Sequence, residues 1–76
     1  MTILLTIETK DKISSGHINN VDMLQYTNGE LLLRPDYDKD VDLDVHISAD
    51  CFHYECDDNG IYGVIKQKDI REFSVI

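Results

Sequence analysis

Apolar and polar positions alternate along most of this chain, with a period of two. Ile3, Leu5 and Ile7 fall on one side of an extended segment, with Thr2, Thr6 and Glu8 on the other. Successive side chains of a strand point to opposite faces, so residues 2–9 read as a half-buried first strand. Leu4 interrupts the polar side. The following stretch from Lys10 to His17 has no periodicity and carries Ser14-Ser15-Gly16. It reads as a loop that closes at Asn19-Asn20.

The next run, Val21 to Arg34, contains Asn28-Gly29 between two β-rich arms. A two-residue hairpin turn needs φ > 0 at both central positions, and Asn-Gly supplies that at the lowest cost. The register puts Tyr26 opposite Leu31 and Leu24 opposite Leu33 on a core face, with Met23, Gln25, Leu32 and Arg34 on the other. Pro35 lacks a backbone donor and marks a strand end or an edge.

Aspartate then occupies every second position: Asp36, Asp38, Asp40, Asp42 and Asp44. Val41, Leu43, Val45 and Ile47 interleave with them. A strand over about 40–47 would carry an acidic row on one face and core side chains on the other. After a turn at Ser48-Ala49-Asp50, Cys51 to Cys56 resumes the strand pattern. A second Asn-Gly pair, Asn59-Gly60, predicts a hairpin that pairs Cys56 with Gly63, Tyr54 with Ile65 and Phe52 with Gln67, and sets His53 across from Lys66. Residues 67–72 lose the alternation and suit one helical or 3₁₀ turn, after which Phe73 to Ile76 adds a short strand.

The predicted fold is all-β: a single domain over 1–76, an antiparallel barrel or roll of five to six strands with one helical turn near 68–72. The alternative is α+β, with a helix over 66–73 packed on the sheet. The expected core is Ile3, Leu5, Ile7, Leu24, Tyr26, Leu31, Leu33, Val41, Leu43, Val45, Ile47, Phe52, Tyr54, Ile65 and Phe73. The strand, helical turn and strand at the C-terminus resemble SH3-like barrels at the level of fold, which implies no function.

Charge changes the picture most. The net charge is −8. Residues 1–35 net −1 and residues 61–76 net +1, so residues 36–60, with nine acids against Lys39, hold the whole excess of −8. Such a field repels nucleic acid and anionic membrane and attracts basic surfaces. No run approaches the roughly 18 apolar residues of a membrane helix. The N-terminal stretch has neither a basic segment nor a small-residue cleavage site, so a signal peptide is not expected, and the expected location is cytoplasmic. Cys51 and Cys56 would lie about 16 Å apart in one strand, beyond disulfide reach, and are expected as free thiols.

Three chemistries are weighed and set aside. An EF-hand loop starting at Asp36 or Asp38 needs Gly at its sixth position and Glu at its twelfth. The chain holds Val41 and Ile47, or Leu43 and Ala49, at those places. Zinc from His46, Cys51, His53 and Cys56 fails because Cys56 falls on the opposite strand face from Cys51 and His53. A Cys51–His53 nucleophile would sit at about 6.6 Å spacing along a strand, too far for a hydrogen bond. No enzyme, cofactor or metal is expected.

The remaining reading takes the acidic row at face value. Aspartates at i, i+2 project charges about 6.6 Å apart. One DNA strand carries a charge per roughly 3.4 Å of axis, and its path is longer than its axis, so the two spacings are of one order. Asp36, Asp38, Asp40, Asp42 and Asp44, helped by Asp57 and Asp58, are the expected partner-binding residues. The expected partner is a protein with a basic, nucleic-acid-binding surface, with no direct binding of nucleic acid or membrane. In size and charge the chain resembles small acidic inhibitors of phages and mobile elements, including anti-restriction and anti-CRISPR proteins, with no shared motif. A plain solvated face that blocks edge-to-edge aggregation is the simpler account of the same row. Two other functional readings stand beside it. One is an oligomeric structural or accessory protein, such as a homodimer, that uses the Met23/Leu32 face and Leu4. The other is a metal- or small-ligand-binding domain.

Overall fold

Ile3, Leu5 and Ile7 are buried to within a few per cent of completely, while the residues between them stay open or half-open. This strict alternation is the framework of the first strand, and the second sheet repeats it at Leu31, Leu33 and Pro35. The computed structural model describes residues 1–36, 42–48, 52–57 and 60–76, with the backbone only at 53–57 and 60–62.

Among the described residues eight strands form: β1 (Ile3–Glu8), β2 (Ile13–Asn19), β3 (Val21–Thr27), β4 (Glu30–Pro35), β5 (Asp44–His46), β6 (His53–Asp57), β7 (Gly60–Lys66) and β8 (Ile70–Val75). They make two antiparallel four-stranded sheets, in the orders β5-β2-β1-β8 and β3-β4-β7-β6. The fold is therefore all-β. The strand count exceeds the five to six expected, and the helix over 66–73 is replaced by a 3₁₀ turn at Gln67–Asp69.

The chain changes sheet at short corners. Between β2 and β3 lies the single residue Asn20, at φ 64°. Asn is one of the few non-glycine residues that enters this left-handed region readily. Next to it, Val21 and Met1 exchange two backbone hydrogen bonds, so the start of the chain laces the two sheets together. The 3₁₀ turn makes the other short corner, and the Gln67 N–H donates to the Gly29 carbonyl at 2.9 Å.

Both sheets contribute inner faces to one apolar cluster: Ile3, Leu5, Ile7, Ile18, Val21, Leu31, Leu33, Leu43 and Ile65, flanked by Leu24, Val45, Ile47, Phe52, Ile70 and Phe73. Ile18 and Val21 belong to it although the sequence pattern did not single them out. Tyr26 does not: it is 56% exposed, because it lies near the end of an edge strand, beyond the reach of the opposite sheet. The expected core places of Val41 and of the Tyr54 side chain lie outside the described residues, as do Cys51 and the Cys56 thiol.

The first hairpin has its expected register, with Asn28 at φ 50° and Gly29 at φ 74°. The second is shifted by two residues. Asp57 pairs with Gly60, Cys56 with Ile61, Tyr54 with Gly63 and His53 with Val64, so His53 is not opposite Lys66. Phe52 precedes β6 and packs on the core. Pairing on the far side of β7, where Leu31 meets Ile65, aligns β7 with the core irrespective of which turn dipeptide is used.

The largest correction concerns residues 13–19, expected as loop. They form β2, between β1 and β5. Ser and Gly are poor strand formers, but pairing of Ser14, Ser15 and Gly16 along β1, with β5 added beside His17 to Asn19, overrides that preference.

Candidate partner-binding surface

The described part of the acidic row begins with Asp42 and Asp44, both exposed, and Leu43 between them is only 8% exposed. Val45 and Ile47 continue inward against the core, and His46 continues outward. The alternation expected for this row is therefore present from 42 to 47. The strand itself is shorter than expected, only Asp44–His46, and the outward row here reads Asp-Asp-His. Asp38, Asp40 and Asp58 lie outside the described residues. Asp36 is half-buried at the end of β4. Asp57 ends β6, an edge strand of the other sheet.

The Asn19-Asn20 corner ties the acidic segment down. The Asn20 carbonyl accepts from the Asp36 N–H at 3.2 Å, and the Asn20 side-chain amide donates to the Asp42 carbonyl at 3.1 Å. The Asn19 amide donates to Asp44 Oδ2 at 3.0 Å while its own oxygen accepts from the Thr2 hydroxyl at 2.8 Å. Two neighbouring asparagines thus hold both described ends of the run. Only a residue with donor and acceptor in one short side chain can bridge Thr2 to a carboxylate in this way. By sequence pattern alone Asn19-Asn20 reads as a loop end. Its left-handed tolerance and double hydrogen-bonding capacity were the signal available.

Asp44 also meets His46 Nε2 through Oδ1 at 2.9 Å, and the His46 ring stacks on His17 with centroids 4.5 Å apart and planes 18° from parallel. The hydrogen bond from Asn19, and then that from His46, hold the Asp44 carboxyl below the usual carboxylate range. A group whose pKa is depressed by folding stabilises the fold above its ordinary pKa, and the effect is lost as pH falls through the folded value. In Asn19→Ala, the Asp44 titration followed by NMR should move up toward an ordinary carboxylate. The stability lost in that variant at neutral pH should shrink as the solution is acidified through the folded Asp44 value. An unmoved Asp44 titration would contradict this account.

The outer face of this sheet can be read in rows across the strands. One runs Asp44, Asn19, Thr2; the next runs His46, His17, Leu4, Ser74; a third runs Ser15, Thr6, Glu72. Thr6 and Ser15 share a hydroxyl hydrogen bond at 2.9 Å, and Arg71 pairs with Glu8 at 2.8 Å. Met23 and Leu32 belong to the other sheet, so they do not form one face with Leu4.

Among the described residues, no three His, Cys, Asp or Glu side chains are grouped so as to hold a metal ion. His46, one of the four zinc candidates, is engaged by Asp44 and His17. No described helix is long and apolar enough to cross a membrane. No family model, curated protein or solved structure matches the chain.

Proposed function

We propose that this is a non-enzymatic acidic binding protein that presents its aspartate row to a basic, nucleic-acid-binding surface of a partner protein, as a nucleic-acid mimic of the phage or mobile-element inhibitor type. The observation that supports it is Leu43, buried between exposed Asp42 and Asp44. Its burial roots the charges in the core, so they are offered in a fixed direction. A charge row displayed only for solubility needs no such anchor and would more cheaply mix signs. Preorganisation raises affinity by lowering the ordering cost on binding, and like charges in line speed encounter with a basic groove.

The test replaces Asp40, Asp42 and Asp44 together by Asn. Partners are captured from the native host at low salt and identified by mass, and affinity is then measured across salt concentrations. The variant should keep its fold and lose on the order of 10- to 100-fold in affinity, from about 0.5–1 kcal/mol per exposed charge pair. The wild-type salt dependence should flatten with it. A folded variant that binds the same partner equally well at low salt would sink the proposal.

A further inference from the structure

The acidic row borders a second feature that charge counting alone does not reveal. The outer face of β1, β2 and β8 forms a groove of about 610 Å³, whose outward side chains are Leu4, Thr6, Ser15, His17, Glu72 and Ser74. That volume is in the range of small-ligand sites, roughly 300–1,000 Å³. Among the described residues its lining includes a carboxylate and three hydroxyls but no Lys or Arg. Beside it, His17 stacks on His46, which leads on to Asp44.

These side chains discriminate between occupants. An anion meets Glu72 and a protein of net charge −8. An apolar group finds, among the described residues, one exposed apolar side chain, Leu4. A guanidinium fits on every count. It is planar and stacks on aromatic faces, it is weakly hydrated, and its five N–H donors suit hydroxyl and carboxylate acceptors. A lysine ammonium shares the charge but cannot stack.

We propose that this groove receives an arginine side chain of the partner, stacked on the His17 ring and drawn in by Glu72 on one side and Asp44 on the other. The inference rests on the acidic-binding reading above and adds a specificity to it: arginine is preferred over lysine.

The probes are hexa-arginine and hexa-lysine peptides, titrated into isotope-labelled protein at one low ionic strength and followed by backbone amide shifts. Hexa-arginine should move the amides of Leu4, Thr6, His17 and Ser74 and bind at least threefold more tightly than hexa-lysine. His17→Ala should bring the two peptides level. Ser74→Lys, at an exposed position, should suppress the groove shifts and covers the case in which His17→Ala fails to fold. Equal affinities for the two peptides in the wild type, or groove amides that stay still, overturn the proposal. The two readings fail separately. If Asp42→Asn/Asp44→Asn weakens both peptides while the groove amides never move, the acidic row stands and the groove falls. If groove binding survives that double change at full strength, the row falls and Asp44 has no part in the groove, which is then held to the His17 stack and Glu72 alone.

Discussion

Gly16→Ala is expected to lower the unfolding free energy by about 2 kcal/mol and to strip β5 of its hydrogen-exchange protection. Gly16 sits in β2 opposite Leu5, where the chain leaving β5 turns in toward the core. A Cβ on Gly16 would run into the His46 carbonyl oxygen and come within 2.9 Å of its carbon and 3.0 Å of Ile47 Cα. All three are backbone atoms, so no rotamer change relieves the clash. Forced extra volume in a packed site costs typically 1–3 kcal/mol. The cheapest relief is for β5 to withdraw, since it has three residues and, among the described residues, a single neighbouring strand. Exchange should therefore quicken at 44–46 more than in β1 or β4, and the Asn19–Asp44 hydrogen bond should be lost with it. Urea melts and amide exchange check both parts. A melt within about 0.5 kcal/mol of wild type, with β5 still protected, would contradict the close approach.

Leu43→Ala should cost about 2–3 kcal/mol and weaken partner binding at unchanged charge. Burial of a leucine to 8% exposure places it in the class whose truncation removes transfer energy and leaves a cavity, typically 2–5 kcal/mol. The lower part of that range applies because the adjoining segment before the three-residue β5 can settle into the space. For a domain of this size such a loss is a large fraction of total stability. The functional consequence follows from the alternation. Leu43 is the inward peg between two outward aspartates, and removing it frees both charges to reorient without altering either. Affinity for the partner should fall at least threefold in a variant that is still folded by circular dichroism. The Asp→Asn triple, by contrast, removes charge and leaves the peg. Unchanged affinity in folded Leu43→Ala would show that the row does not need its anchor.

The legible parts of this fold obey local rules. Ile3, Leu5 and Ile7 alternate too regularly for anything but a half-buried strand, and Asn28-Gly29 sets its hairpin register through backbone φ alone. The inward set Leu43, Val45, Ile47 was legible for the same reason. Where two local answers were equally good, local rules stopped. Asp58-Asn59 and Asn59-Gly60 are both acceptable turn dipeptides by composition, and pairing with β4 decides where β7 lies. Tyr26 follows the core period but lies on an edge strand, which periodicity does not report.

The candidate surface divides in the same way. Five alternating aspartates and a midchain excess of −8 could be seen at once. The Asn19-Asn20 clamp, the His17–His46 stack and the groove beside Leu4 join positions up to 70 residues apart in the chain, as Leu4 and Ser74 are, and no local pattern contains them.

By itself, then, the amino-acid sequence determined that this is a small β protein, which residues of its regular strands point inward, where its first hairpin turns and where its negative charge lies. Each of these depends on neighbours one to a few positions apart: the period of two, the φ preference of Asn-Gly, the count of ionised side chains. Tertiary structure decided the rest. It made a strand of Ser14-Ser15-Gly16, because β1 pairs with all three and only glycine leaves room for the His46 carbonyl. It gathered the described ends of the acidic run around two asparagines, because the corner at Asn20 brings the end of β2 beside the segment that leaves β4.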